Sequence, residues 1–467
     1  MTDFAKHHEE ILAAFDQNPS LGLSALVVGG GIAGLIFAIE ATRKGIACRI
    51  IERRPHFAES GDAFNCQSSA LRTLKKWPYF YEAMRASSME PYASYYRFDG
   101  TFITRSYIGD DEGNACCQLQ RSDFMTLLTR YVEVLGIPVE FNHKVVEYFE
   151  TEQFGGVLLD DDRRLTADLV VAADGIGGKS HKLILGRVDR AVSTGYSVHR
   201  SNFSLEHLAN MPSVLNEIGQ SKDRVAIIVG GTNAHAVIAH NEKSICWIIT
   251  HKDETGRKDY LYKPGEAKDV FPYIHGWAPW IHDLVTATPS GVTTDWKLMW
   301  RDPHPNWVSP KGKVVQIGDA AHAFIPSSGY GASMAVEDGY SLATCLQLSG
   351  KDNIELGARV HNILRFQRTS CAQKYGFRAR EIYHNIDWDE VAKNPDSIHL
   401  WGKWMWKHDP EQYVYDNYDK CADSITSGNP FDNTNYPPGH SCKPWTVEEL
   451  TQASEEGKEL EYDGDWS

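Results

Sequence analysis

The chain has 467 residues, two to three times the usual size of one domain, and its 42% hydrophobic and 11% aromatic content supplies a large buried core, which excludes a disordered, fibrous or disulfide-dominated protein. Forty-seven basic residues face 62 acidic ones, a formal charge of -15, and a surface this acidic repels phosphate backbones, so no nucleic-acid partner is expected. Nine cysteines without Cys-x-x-Cys spacing indicate neither a disulfide framework nor a zinc knuckle, and a reducing compartment fits them.

In chain order, Met1 to Ser20 carries Phe4, Ile11, Leu12 and Phe15 at helical spacing beside charged residues, the pattern of a short amphipathic helix and not of a signal or transit peptide. Leu21 to Ala41 is apolar, yet five glycines interrupt it, which argues against a membrane span. From Ser24 the pattern is strand (Ala25 to Val28), glycine turn (Gly29 to Gly34), helix to Lys44, then strand Ala47 to Ile51 ending at Glu52, the opening βαβ of a doubly wound fold. An irregular stretch follows. Gln118 to Arg130 reads as a strand end entering a helix, Pro138 to Glu150 as extended chain, and Leu165 to Ala173 as one continuous buried strand closing on Asp174-Gly175. Arg224 to Val229, Ala234 to His240 and Ser244 to Thr250 read as strands of an inserted sheet. A strand Lys313 to Ile317, then Gly318-Asp319 and a helix from about Ala332 to Leu348, return to the first pattern. Beyond Trp401 a run rich in aromatics (Trp404, Trp406, Tyr413, Tyr415, Tyr418, Trp445) is expected to pack on the body. Thr446 to Ser467, with eight acids against Lys458 alone, reads as a solvated tail.

In Gly29-x-Gly31-x-x-Gly34 the first glycine makes the tight turn, the second admits a pyrophosphate to the backbone, and the third lets helix and strand pack closely. Glu52, 23 residues after Gly29, ends the next strand where a carboxylate accepts ribose hydroxyls. A carboxylate there disfavours a 2'-phosphate and points to an adenosine diphosphate moiety. His-Glu-x-x-His, Gly-x-Ser-x-Gly and Gly-x-x-x-x-Gly-Lys-Ser/Thr are all absent, and the nineteen histidines show no ligand spacing, so no metal site is expected.

Together with Leu169 to Gly175, the run Gly318-Asp319-Ala320-Ala321-His322, Pro326 and Gly329-Tyr330-Gly331-Ala332, this turn makes the chain resemble the group A FAD-dependent aromatic monooxygenases. These are the salicylate and para-hydroxybenzoate hydroxylase type, and the likeness is to the fungal branch acting on secondary metabolites. The resemblance covers roughly residues 24 to 345. It implies an α/β fold: a Rossmann-like FAD-binding domain of the para-hydroxybenzoate hydroxylase type with an inserted β-sheet substrate domain and a C-terminal helical or irregular extension. The expected boundaries are 1–23 for an N-terminal helical arm, 24–189 and 296–375 for the two parts of the FAD domain, 190–295 for the substrate domain and 376–467 for the extension.

By that resemblance FAD is the cofactor and NADPH or NADH the transient co-substrate, and Gly29, Gly31, Gly34, Glu52, Ala63, Arg121, Asp174, Asp319 and Ala332 hold the flavin nucleotide. Asp319 is expected on the ribityl chain, Arg121 on a pyrophosphate or ribityl oxygen, and Ala63 on the strip passing the flavin, although Asp62 and Phe64-Asn65 depart from the family pattern there. Arg200 occupies the place of a catalytic arginine beside flavin and substrate; its alternative is an ordinary surface arginine on the sheet. A tyrosine that relatives carry about 30 residues further on is replaced by Val229-Gly230-Gly231, with His235 and His240 nearby. Tyr330 stands for a common Gln or Glu and Ala323 for a common Pro, and His322 is expected to pack or bond the backbone rather than act as a base. The implied activity is hydroxylation or epoxidation of a neutral, fairly large aromatic or alkene, such as a phenolic polyketide or an indole alkaloid, with O2, by a cytoplasmic enzyme without an integral membrane segment. An FAD oxidase or dehydrogenase that inserts no oxygen, and a noncatalytic flavin-binding protein, are the alternatives; the need for NAD(P)H and the fate of labelled dioxygen separate them.

Overall fold

The computed structural model describes residues 4–57, 63–109, 112, 115–189, 191–220, 224–229, 234–253, 262–385, 387–394, 402–456, 458 and 462–467. Five strands form a parallel sheet in the spatial order Val314–Gln316, Leu169–Ala172, Ser24–Val28, Ala47–Ile51, Val139–Glu140. Both faces of its centre are covered, so Ala25 to Val28, Leu169 to Ala172 and Val314 to Gln316 are buried along their whole length, as continuous apolar runs demand. One face packs on the helices Ile32–Arg43 and Gly331–Ser349; the other carries a three-stranded antiparallel sheet, Arg164–Ala167, Gly155–Leu159 and Val145–Glu150. The apolar stretch Leu21 to Ala41 is thus a strand, a turn and a helix inside the core, and among the described residues no helix is long and apolar enough to cross a membrane.

A second sheet of eight strands runs Tyr262–Pro264, Thr294–Trp300, Val192–Ser204, Ser244–Lys252, Ala234–His240, Val225–Val229, Tyr92–Arg97, Phe102–Tyr107. Its last two strands come from the stretch that the sequence leaves irregular, joined by parallel pairing of Tyr92–Arg97 with Val225–Val229. That stretch also holds the helices Ser68–Leu74 and Phe80–Ser87 and the strand Ala63–Cys66, which pairs with Cys117–Gln120. The single strand expected over Leu165 to Ala173 is two, broken at Asp168, whose carboxylate accepts both the backbone N–H and the hydroxyl of Ser24 at 2.8 Å.

The N-terminal helix His8–Phe15 buries Ile11 and Phe15, and Phe4 ahead of it packs edge-on against Tyr131 at 5.2 Å. Of the C-terminal aromatics, Trp404, Trp406 and Tyr418 are buried while Tyr415 is exposed; Trp401 lies outside the described residues. The helix Pro410–Ser427 is tied to the end of the helix Ile32–Arg43 by Glu411, which accepts from Arg43 (2.7 Å), Lys44 (2.5 Å) and Lys76 (2.6 Å). The acidic end is no free tail: the helix Val447–Glu455 buries Val447 and Leu450, and Trp466 is buried edge-on against Trp404. Three apolar side chains spaced among eight acids are enough to dock it.

Candidate active site

Because the central sheet is parallel, the residues that follow its strands meet at one edge: Gly29 after Val28, Glu52 after Ile51, Asp174 after Ala172 and Asp319 after Gln316. Chain order reverses between Ser24–Val28 and Leu169–Ala172, the switch point where such sheets open a crevice. A cavity of about 240 Å³ lies there, lined among others by Gly29, Gly31, Glu52, Arg121, Asp174 and Lys179.

The three glycines divide their work. Gly29 sits at φ +109°, and a Cβ on it would stand 2.4 Å from the carbonyl oxygen of Ala173. A Cβ on Gly34 would stand 2.1 Å from the carbonyl oxygen of Gly29, so this glycine serves helix-to-strand packing. A Cβ on Gly31 would meet nothing within 4 Å, and no side chain caps the helix that starts beyond it. Open space beside uncapped helical N–H groups is what a phosphate group requires. The Glu52 carboxylate is anchored to this turn, accepting from the N–H of Gly30 (2.9 Å) and of Arg54 (3.0 Å).

Asp174 accepts from the Tyr148 hydroxyl at 2.7 Å and the Lys179 N–H at 3.2 Å through Oδ2. Its Oδ1 is buried and meets no donor among the described residues, leaving an acceptor for a hydroxyl of a bound ligand. Burial raises its pKa, and the Tyr148 hydrogen bond works against the rise. Asp319 is exposed to solvent, just past the end of the strand Val314–Gln316. Desolvation raises its pKa, and the positive charges of His322 and Arg121 pull it back, which places Arg121 within electrostatic reach across 198 residues of sequence. Open space at Gly31, an acceptor at Asp174 and carboxylates at Glu52 and Asp319 are a donor and acceptor set that fits FAD.

The turn carrying Asp319 is held from behind. Asp338, on the helix Gly331–Ser349, accepts from the Gly318 N–H (2.8 Å), from His322 Nε2 (2.5 Å) and from Arg365 Nε (2.8 Å). His322 therefore bonds a buried carboxylate, where packing or a backbone bond was expected, because Asp338 lies nearly two helical turns beyond Ala332, where the motif ends. Beside it Glu337 takes Arg365, Arg368 and the Ser69 hydroxyl. Ala332 is in the first turn of the same helix, which no side chain caps.

Ala63 pairs with Gln120, directly before Arg121, and packs against the core that includes Tyr330 and Met334. Gly61 and Asp62 lie outside the described residues. Gln120 accepts from the Asn202 amide at 2.9 Å, joining this strip to the eight-stranded sheet. Arg200 is two residues from Asn202 on the same strand, hence on the same face, opposite Ile248 and Thr294. Its guanidinium lies 4.9 Å from the Trp296 ring centroid. His235 shares this face, its ring 5.3 Å from that of Tyr383, whereas His240 has the opposite parity on its strand and points to the other face. Gly230 and Gly231 lie outside the described residues.

Tyr148, Lys179 and the Glu337, Asp338, Arg365, Arg368 group are not apparent from motifs. The visible sign of the last is two adjacent acids inside an otherwise small and apolar helix. Residues 23–353 match the family model described as FAD binding domain. The FAD-dependent monooxygenase fsr3 of Gibberella fujikuroi is 36% identical over 96% of this chain and 90% of its own. The crystal structure of CtdE in complex with FAD and a substrate superposes with a TM-score of 0.80 at 28% identity, covering 86% of this chain and all of that one. A salicylate hydroxylase substrate complex, at 20% identity and a TM-score of 0.68 over 87% of this chain and 98% of its own, shares the fold. With the match covering more than half the chain and relatives above 30% identity along nearly all of it, this protein belongs to the FAD-binding-domain family of FAD-dependent monooxygenases.

Proposed function

We propose that the protein inserts one atom of dioxygen into a carbon of a neutral, fairly large aromatic or alkene substrate, the second atom leaving as water at the expense of NAD(P)H. The substrate class we propose is a phenolic polyketide or an indole alkaloid. When bound, FAD supplies the redox chemistry. The chain's own residues position it: the turn at Gly29 and Gly31 and the helix start at Ala332 for its phosphates and ring, Glu52 and Asp174 for hydroxyls, Arg121 and Asp319 for the ribityl side, Gly34 for helix packing, and Ala63 as the small residue beside the ring.

The observation that supports this reading best is the face shared by Arg200 and Asn202: Asn202 bonds Gln120 next to Arg121, and we take Arg200 to face the flavin from that side of the sheet. A guanidinium stays charged at any working pH, and stacking on Trp296 holds it in place to meet a phenolate or negative charge developing on oxygen. His235, Tyr383 and Tyr95 add polar and aromatic surface to the same wall. A cytoplasmic location accords with nine cysteines, none in a disulfide.

The test is the absorption spectrum of purified protein followed by NAD(P)H oxidation in air with phenols and indoles, and mass analysis of product formed under labelled dioxygen. A flavin band, substrate-stimulated NAD(P)H consumption and one labelled oxygen in product are expected. Bleaching of the flavin by substrate without nicotinamide would replace the reading with an oxidase or dehydrogenase.

A further inference from the structure

Outside the sequence motifs, three side chains of metal-ligating type meet. Cys371 on the helix Ile354–Asn385, and His440 and Cys442 on the C-terminal loop, bring a thiol sulfur, a ring nitrogen and a second thiol sulfur within 4.8 Å of one another. The segments are about 70 residues apart, so no local spacing shows the group. Cys371 is 3% exposed, while Cys442 is at the surface.

The geometry points to a structural site for a borderline divalent cation, zinc(II), held by Cys371, His440 and Cys442 with water in the remaining position. Zinc takes thiolate sulfur at about 2.3 Å and imidazole nitrogen at about 2.0 Å in a tetrahedron, so small side-chain rotations close a cluster of this size around one ion. The chemistry around His440 is already arranged for a ligand. Its Nδ1 meets Asp463 Oδ1 at 2.6 Å, and the other oxygen of that carboxylate accepts the Ser441 N–H at 2.9 Å. A carboxylate on one ring nitrogen fixes the tautomer and leaves the lone pair on the other, the outer-shell pattern of zinc-bound histidine. Binding would displace both thiol protons to solvent, and two thiolates with one divalent ion give a neutral site.

The ion would clasp the loop and the Trp466 segment to the helix that carries Arg365 and Arg368 near its middle and Tyr383 near its C-terminal end. His440 and Trp466 rings, 5.1 Å apart, continue the clasp to Trp404.

The full-length protein, purified in reducing buffer without chelator, should hold close to one zinc per chain by elemental mass spectrometry. Cobalt(II) added after zinc removal should give a thiolate charge-transfer band. Cys442→Ser, at the surface, should lose both signals while keeping its bound FAD and circular dichroism, and Asp463→Asn should weaken zinc by about 10- to 100-fold. Wild-type protein that holds neither zinc nor cobalt, metal retained equally in Cys442→Ser, or a Cys371–Cys442 disulfide in freshly purified protein would each overturn the assignment.

Discussion

Asp338 accepts a hydrogen bond from the backbone N–H of Gly318 at 2.8 Å, so a carboxylate twenty residues downstream holds the turn that presents Asp319. Burial alone would push this carboxyl up, but the charges of His322 and Arg365 outweigh it and hold it well below the usual carboxylate range. Asp338→Asn leaves Arg365 buried without one of its two carboxylates and is expected to cost about 3–5 kcal/mol of stability. A folded-state pKa below the unfolded one contributes stability above the unfolded value, near 4, that disappears as pH falls toward the folded value. The gap between wild type and variant in urea titrations should therefore be full at pH 7 and shrink below pH 4. A gap that is the same at pH 7 and pH 3 would show that the ion pair is not its origin.

Gly31 and Gly34 should separate flavin binding from folding. A methyl on Gly31 meets no protein atom within 4 Å and the backbone φ of -86° admits alanine, so Gly31→Ala should leave the apoprotein's thermal midpoint unchanged while weakening FAD at least tenfold. A methyl on Gly34 would stand 2.1 Å from the Gly29 carbonyl, so Gly34→Ala should destabilise the apoprotein by about 1–3 kcal/mol. Thermal scans of apoprotein and fluorescence titration with FAD read the two effects; equal loss of stability in both variants would refute the division of labour.

Asp174 and Asp319 are legible in the sequence because each follows an apolar run of the kind that forms a covered parallel strand, and Glu52 because it ends the second strand of the opening βαβ; parallel strands end on one side. The glycine turn is legible for the same reason. Tyr92–Arg97 is not, since its place in the substrate-side sheet depends on pairing with Val225–Val229 some 130 residues later, which leaves no local mark. Asp168 hides a break between two strands because its neighbours are apolar, and the break becomes visible only when Ser24 is found against it. Glu337 and Asp338 stand out as acids in an apolar helix, but their partners Arg365 and Arg368 are identified only when the following helix folds back upon them.

Tyr148→Phe tests the state of Asp174. Burial raises this carboxyl and the tyrosine hydroxyl opposes the rise, so removing the hydroxyl raises it further. The ionised form is the better acceptor for a ligand hydroxyl. FAD affinity in the variant should consequently begin to fall at a higher pH than in the wild type as the solution is acidified. Titrations of FAD across pH 4.5 to 8 check it, and curves that fall in parallel at the same pH would remove Asp174 from nucleotide binding.

Arg200 is the residue on which the oxygen-transfer reading depends most. Its partner Trp296 lies two residues along the neighbouring strand, so the pair is built into the sheet and the variant should fold. Arg200→Gln should retain FAD with an unchanged visible spectrum and lose about 10²-fold in kcat with a phenolic substrate, the magnitude of losing one fixed stabiliser of developing negative charge. Arg200→Lys keeps a charge but neither the planar fork nor its stacking, and should recover only part of that loss. Trp296→Leu leaves the charge in place and frees it to swing, so its defect should appear more in coupling of NAD(P)H use to product than in FAD content. If Arg200→Gln turns over as the wild type does on every substrate that stimulates it, the arginine is an ordinary residue of the sheet and the substrate's charge is met elsewhere.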